Sequence, residues 1–382
     1  MYSVGGYGRM ISDSGRMDAY VAALRQAIKP GAVVADLGSG IGLFALLACQ
    51  MGARRVYAIE PGEVIQVGRE AALANGFGDR IEFLPDFSTQ VTLPEPADVI
   101  VSDLRGVLPW FRKHIPSICD ARRRLLAPNG VLIPQRDTVW AAVVEAPDEY
   151  SKLMSPWEHH NRGFDLTAAR TLVTNTWSKE VFKSGQLLVD PICWQTLDYY
   201  QVEEPNVKSD IVFSVIRSGT ARGLSVWFDS DLVDGIGFSN RPGSAELIYG
   251  SAFFPFPHHV EVSIDDQIEL KLSANLVGED YIWRWETRVF AQGQTKQIKA
   301  DFKQSSFFST PLPFAQLRKR AAGYVPTLNQ EGQVNALILH LMDGKIPLEK
   351  IAMRVAERFP ERYSDWHAAL NEVTDLSQKF SQ

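Results

Sequence analysis

Cysteine is scarce in this chain of 382 residues. Cys49, Cys119 and Cys193 stand far apart, without metal-ligand spacing and without the density of a disulfide framework. No apolar run approaches the roughly 18 residues of a membrane span. The opening MYSVGGYGRM has no basic segment leading into an apolar one, so it does not read as a secretory signal. An excess of positive charge is also missing. Lys and Arg number 39 against 45 Asp and Glu, and the formal net charge of -6 gives no global attraction for nucleic acid or an anionic membrane. The run Arg122, Arg123, Arg124 is a local exception that reads as the solvated face of a helix before Leu125. The pairs His159–His160 and His258–His259 make poor chelates, because adjacent residues on a strand point to opposite faces. No metal site, membrane contact or nucleic-acid partner is expected, and the expected setting is reducing and cytoplasmic.

What is present is a large apolar fraction, 45%, enough for two domains or three. Short apolar runs alternate with helical patterns from residue 32 to 134: AVVADL, RRVYAIE, RIEFLP, ADVIVSD and VLIP, with LFALLACQMGA among the helices between them. This alternation predicts a mostly parallel, doubly wound α/β sheet within residues 1–136. Residues 137–311 change texture to period-two segments such as LSVWFDSDL, QIELKLSA and YIWRWETRVF, which predict an antiparallel, barrel-like β domain. Residues 312–382 read as three helical stretches, a small helical unit.

ADLGSGIG, residues 35–42, closes the first strand. A phosphate-binding loop needs Lys and Ser or Thr after its last glycine, and here Leu43 and Phe44 follow. A dinucleotide fingerprint is spaced G-x-G-x-x-G, and Leu43 stands where its third glycine belongs. Asp36, just before the loop, also disfavours a pyrophosphate. S-adenosylmethionine fits better, because it carries an ammonium, a carboxylate and a ribose diol but no phosphate. Asp36 suits the ammonium, and Gly38 and Gly40 allow close backbone approach. Glu60, ending the second strand, suits the two ribose hydroxyls. Asp86 and Phe87, after the third, suit the adenine amine and ring face.

The core ADLGSGIGLFALLACQMGARRVYAIE, preceded by Y2-S-V-G-G-Y7 and M10-I-S-D13-S-G-R16-M-D-A-Y20, resembles the protein arginine methyltransferases. The resemblance runs from about residue 2 to 292 and includes RGFDLTAAR (162–170), WFDSDL (227–232) and FSNRP (238–242). It implies a Rossmann-like class I methyltransferase domain followed by a barrel-like substrate and dimerisation domain, with S-adenosylmethionine as cofactor. It places Met10 by the sulfonium and Arg16 on the cofactor carboxylate. It also implies a homodimer and a peptide, protein or small-molecule methyl acceptor.

Two elements depart from the pattern. Where the family holds its guanidinium between two glutamates, this chain has Ser102-Asp103-Leu104-Arg105 and, at the far end of the stretch, Arg112. Asp103 is the candidate for orienting the acceptor. Either Arg105 and Arg112 face a carboxylate or another anionic group, or Arg112 turns to solvent while another acid, such as Glu145 or Glu158, completes the clamp. The family's Thr-His-Trp loop is replaced by Leu247, Ile248 and Tyr249. Three functions stay open: N-methylation of arginine, peptidic or free; methylation of a different nitrogen or carboxylate in a ribosomal peptide or natural product; and cofactor binding without turnover. The C-terminal unit reads as a winged-helix or leader-peptide-recognition module working by strand addition, or as a helical cap or dimerisation element.

Overall fold

The computed structural model describes residues 3–158, 162–293, 297–311 and 313–381. The side chain of Glu158 and the pair His159–His160 lie outside the described residues. Contacts divide the chain into two compact units, Met1–Pro311 and Leu312–Gln382.

The first unit opens with two helices, α1 (Val4–Ser12) and α2 (Ser14–Ala27). Asp13 ends the first and caps the second, its side chain accepting from the Arg16 amide at 3.1 Å. Then follow β1 (Val33–Leu37), α3 (Leu43–Gln50), β2 (Arg55–Ile59), α4 (Ile65–Ala74), β3 (Ile81–Leu84), β4 (Ala97–Ser102), α5 (His114–Arg124) and β5 (Leu126–Ile133). The five strands form one parallel sheet in the order β3-β2-β1-β4-β5. Every residue of β1 is buried, as befits a central strand covered on both faces. The order reverses between β1 and β4, so the loops after those strands open a crevice at the carboxyl edge. Pro128, Asn129 and Gly130, a turn-like triplet before the VLIP run, lie inside β5: Asn129 takes φ 62°, and the pairing with β4 slips there. The bulge lets the strand begin five residues earlier than its apolar run suggests.

The β region comprises β6 (Arg136–Val144), β7 (Ser178–Glu180), β8 (Ile192–Asp198), β9 (Val207–Ser214), β10 (Gly219–Val233), β11 (Ile236–Ser239), β12 (Ser251–Val262), β13 (Gln267–Val277), β14 (Asp280–Phe290) and β15 (Ile298–Ser305). They pair as two antiparallel sheets, β7-β12-β10-β6-β8 with β11 beside β10, and β15-β14-β13-β9. The barrel-like domain expected from sequence is built from these two sheets. Phe254 of β12 packs on Trp283 and Trp285 of β14, with ring centroids 5.5 and 5.1 Å apart, joining the two layers. Two helices, α6 (Pro147–Glu158) and α7 (Arg170–Thr174), interrupt the strands. The period-two texture on either side hid them.

The parallel sheet and the β region share a core. Trp110, on the segment after β4, lies 4.8 Å from Trp194 of β8 and 6.3 Å from Trp283. That anchor fixes the stretch between Asp103 and Arg112 against the β region. The arginine run is less solvated than its sequence suggests: Arg122 donates to the carbonyls of Tyr199 and Val202, while Arg123 faces out.

The second unit holds α8 (Phe314–Lys319), α9 (Gln330–Leu341), α10 (Leu348–Arg358) and α11 (Trp366–Phe380). The last three enclose Val334, Ile338, Ile351, Val355 and Val373. No strand occurs among the described residues of this unit. Of the two readings of this unit, the described residues offer no strand edge for the strand-addition module.

Candidate active site

The glycine loop fixes the floor. Gly38, Gly40 and Gly42 take φ of 69°, 53° and 77°, the left-handed region where a Cβ is disfavoured. At Gly40 a Cβ would also run into the Tyr7 ring, so α1 lies directly on the loop. Gly42 precedes α3, and Asp36 reaches across to accept from the Ala45 amide in its first turn at 3.1 Å. Glu60, at the end of β2, accepts from the amides of Gly40 at 3.1 Å and Gly62 at 2.8 Å.

Over this floor sits a cavity of about 60 Å³, bordered by Tyr7, Met10, Ile11, Arg16, Gly38, Ser39, Ile41, Leu43, Phe44 and Asp103. Of the residues singled out in the sequence, the structure brings Met10, Arg16, Gly38 and Asp103 to one wall. Asp36 and Glu60 lie beneath it, nearly fully buried. Asp86 and Phe87 stand outside that wall and are exposed, Asp86 accepting from the Phe87 amide at 2.7 Å. Arg112 is exposed too. Its backbone is left-handed, φ 44°, and its guanidinium lies over the Phe111 ring, 5.3 Å from the centroid. The stretch after β4 thus turns Arg112 to solvent. Glu145, the alternative second acid, pairs with Arg217 at 2.9 Å.

Asp103 is the centre of the polar network. Its Oδ2 accepts from Arg16 Nε at 2.7 Å and from the Tyr249 hydroxyl at 2.6 Å, and it forms an ion pair with Arg16 Nη2 at 2.6 Å. Its Oδ1 faces the Arg105 guanidinium at 3.4 Å. Burial works against the carboxylate, but Arg16 first, then Arg105 and the Tyr249 hydroxyl, outweigh it and hold the group below its ordinary range. Asp36 goes the other way. Burial pushes it up to about 7, Glu60 adds to the rise, and the Ala45 amide resists. Arg16 is set on rings, 5.0 Å from the Tyr20 centroid and 5.4 Å from that of Phe44.

Several participants were missed in the sequence. Asp13 accepts from the Ile248 amide at 2.7 Å, holding the loop that delivers Tyr249. Arg105, expected from sequence to face an anionic group of the acceptor, is instead buried behind Asp103 and off the cavity wall, where it meets Asp137 at 2.7 Å and two residues not singled out in the sequence for a role here, through the Ser230 hydroxyl at 2.6 Å and the Tyr20 hydroxyl at 2.6 Å. Asp137 also accepts from Tyr199 at 2.6 Å, and Tyr199 meets His114 Nε2 at 3.0 Å. Burial pushes His114 down to about 3, with Arg105 adding to it, so the ring is neutral. One signal for Asp137 was legible: it shares a strand face with Val139, Ala141 and Val143, and an acid in an apolar period-two row needs a partner. Among the described residues no cluster of His, Cys, Asp and Glu could hold a metal ion, and no helix is long and apolar enough to cross a membrane.

The donor set suits S-adenosylmethionine: a guanidinium, a buried acid at the end of β2 and a glycine loop that a Cβ would block. Comparison with known proteins agrees. Residues 135–286 match the family model for the arginine methyltransferase oligomerization subdomain, and residues 18–151 match that for ribosomal protein L11 methyltransferase. A probable protein arginine N-methyltransferase 6 of Arabidopsis thaliana is 28% identical over 235 residues, 59% of this chain and 54% of that protein, so the chain spans about half of that relative. Arginine N(omega)-methyltransferase of Streptomyces achromogenes subsp. streptozoticus is 28% identical over 276 residues, 69% of this chain and 74% of that protein. Among solved structures, the Trypanosoma brucei PRMT1 enzyme-prozyme complex with AdoHcy matches with a TM-score of 0.71 at 18% identity, covering 79% of this chain and 98% of that one. Arabidopsis thaliana protein arginine methyltransferase 10 matches at 0.69 and 22% identity, covering 79% and 97%. These two likenesses establish the fold.

Proposed function

We propose that this chain, which is similar to the arginine methyltransferases, is a class I S-adenosylmethionine-dependent enzyme that transfers a methyl group to a guanidino nitrogen of arginine, in a peptide, in a protein or free. The observation that carries this is Asp103, an ionised carboxylate on the same cavity wall as Met10 and Arg16. When bound, the cofactor supplies an electrophilic methyl on a sulfonium. The protein's part is placement. Arg16 would offer a planar fork to the cofactor carboxylate, Met10 would stand by the sulfonium, Glu60 would take the ribose hydroxyls, and Asp36 would face the ammonium. Asp86 and Phe87 would serve the adenine amine and ring face. Asp103 aims the acceptor nitrogen for in-line attack. A carboxyl held below its ordinary range is a weak base, so Asp103 acts through charge and orientation, which is where much of the rate comes from.

The same reading makes the protein a cytoplasmic homodimer that uses residues 135–286. Exposed Phe164 and Leu166 in that segment support such a contact. A second reading, a different nitrogen or a carboxylate as acceptor, is favoured by one observation: among the described residues a single acid, not two, borders the cavity, and its neighbours Arg16 and Arg105 are cations.

Calorimetric titration with S-adenosylmethionine, repeated on Glu60→Ala, tests the donor site. Micromolar binding that is lost in the variant supports it. A labelled-methyl screen of arginine, arginine peptides and carboxylate acceptors then decides between the two readings. No binding by the folded protein would overturn both.

A further inference from the structure

Beyond the proposed reaction, and resting on it, we infer that Arg105 and Asp137 form a positioning pair that holds Asp103 from behind and sets its charge and aim. The guanidinium of Arg105 is fully buried, yet it does not border the cavity. It is held on every side: by Asp137 and Ser230 through Nη1, by Tyr20 through Nη2, and by the rings of Phe228, Phe238 and Tyr249, whose centroids lie 5.2, 5.4 and 5.8 Å from Cζ. A cation fixed this firmly is a poor ligand for anything mobile and a good reference point for its one remaining neighbour, Oδ1 of Asp103.

The two edges of Asp103 differ in consequence. Oδ2 accepts two short hydrogen bonds, from Arg16 Nε and the Tyr249 hydroxyl, which take up its two lone pairs, and is paired with Arg16 Nη2 as well. Oδ1 has only the long 3.4 Å approaches of Arg105 and keeps room for a donor. Arg105 therefore supplies charge without consuming the lone pairs an acceptor N–H would use. It also compensates for the shorter side chain of Asp103, because a fixed cation behind it restricts the carboxylate to one rotation. The groups facing Asp103 are Arg16 and Tyr20 from α2, Tyr249 from the loop before β12, and Arg105 on its own segment, with Asp137 of β6 and His114 of α5 at the next remove. Of these, Arg16 and Arg105 are the cations. Burial draws Asp137 toward its neutral form and Arg105 opposes it. At 2.7 Å, with both side chains fully out of solvent, the ionised pair is the state the geometry supports.

The test uses the full-length Arg105→Met/Asp137→Asn double variant, which removes both buried charges together so that neither is stranded. Arg105→Gln serves as a second neutral variant that keeps hydrogen-bonding capacity, and Arg105→Lys as the conservative one. Three readouts are taken: calorimetric binding of S-adenosylmethionine, carbon-13 NMR titration of the Asp103 carboxyl (assigned by its loss in Asp103→Asn), and the pH profile of methyl transfer. We expect cofactor binding to hold while the Asp103 titration and the acid limb of transfer both move to higher pH in the neutral variants. Transfer should fall roughly 10- to 100-fold, and Arg105→Lys should restore the wild-type pH profile. A folded neutral variant with an unmoved Asp103 titration and wild-type transfer would overturn the inference. If the wild type methylates no acceptor offered, the proposed reaction fails on its own, and the carboxyl titration still decides the role of Arg105.

Discussion

Arg16 and Asp103 lie 87 residues apart in the chain and meet at 2.6 Å with both side chains nearly excluded from solvent. The pair joins the N-terminal helices to the carboxyl edge of the sheet. It places the residue expected to hold the donor against the residue expected to aim the acceptor. Asp103→Asn keeps the shape and removes the charge. Transfer should drop by about 10²- to 10⁴-fold. Breaking a buried pair from one side should also cost about 3 kcal/mol of stability. Steady-state kinetics and urea unfolding on the same preparation separate the two effects. Full transfer by the variant would remove Asp103 from the mechanism.

The sequence made most of this site's donor half visible, because strand ends and glycine loops leave short, position-specific marks. Asp36 and Glu60 were singled out that way, and the structure sets both at the glycine loop; β1, β2 and β4 were legible with them. The acceptor half was not visible to the same degree. Arg105, Asp137, Ser230 and Tyr199 come from four separate elements, and no spacing rule connects them. The direction of Arg112 depended on one left-handed residue that an unaligned chain does not announce. α6 and α7 were lost for a similar reason: short helices between strands of alternating pattern carry too few turns to show a period.

The Asp36 carboxyl makes stability depend on pH in a defined direction. Burial raises it from 3.8 to about 7 in the folded state. Between those values the folded protein holds a proton there that the unfolded chain has released. The contribution of Asp36 is therefore greatest at low pH and is lost as pH rises toward 7. Comparing urea midpoints at pH 4.5 and pH 7 should show a steeper fall for wild type than for Asp36→Asn, which has nothing to titrate. Equal slopes would mean that Asp36 stays ionised in the fold.

Gly40 is intolerant for two independent reasons. Its φ of 53° costs an L residue about 1–2 kcal/mol, and the added methyl would strike the Tyr7 ring. Gly40→Ala should lower the melting temperature and weaken S-adenosylmethionine binding by at least about tenfold, a loss of roughly 1.4 kcal/mol. Tyr7→Ala in that background relieves the clash but not the backbone strain. A double-mutant cycle on melting temperature and affinity should show positive coupling between the two positions.

Arg112 tests the exposed end of the acceptor stretch. It lies over Phe111, outside the cavity wall. Arg112→Ala should leave stability within about 0.5 kcal/mol and transfer to small acceptors nearly unchanged. A fall in transfer comparable to that of Asp103→Asn would mean that the segment turns inward when an acceptor binds.

The helical unit from Leu312 onward has its own core, and this makes its stability separable. Ile351 of α10 is almost fully buried between α9 and α11. Truncating it to Ala should cost about 2–5 kcal/mol, the range for large-to-small changes in a packed core. A unit of this size holds only about 3–5 kcal/mol in total, so Ile351→Ala should unfold it. The Met1–Pro311 unit has larger hydrophobic cores of its own, so it should be untouched. Differential scanning calorimetry of the full chain should then lose one small transition and keep the large one. S-adenosylmethionine should raise the temperature of the large transition in both proteins, because every residue assigned to the donor site lies before Pro311. A single transition that moves as a whole in Ile351→Ala would mean that the two units fold as one.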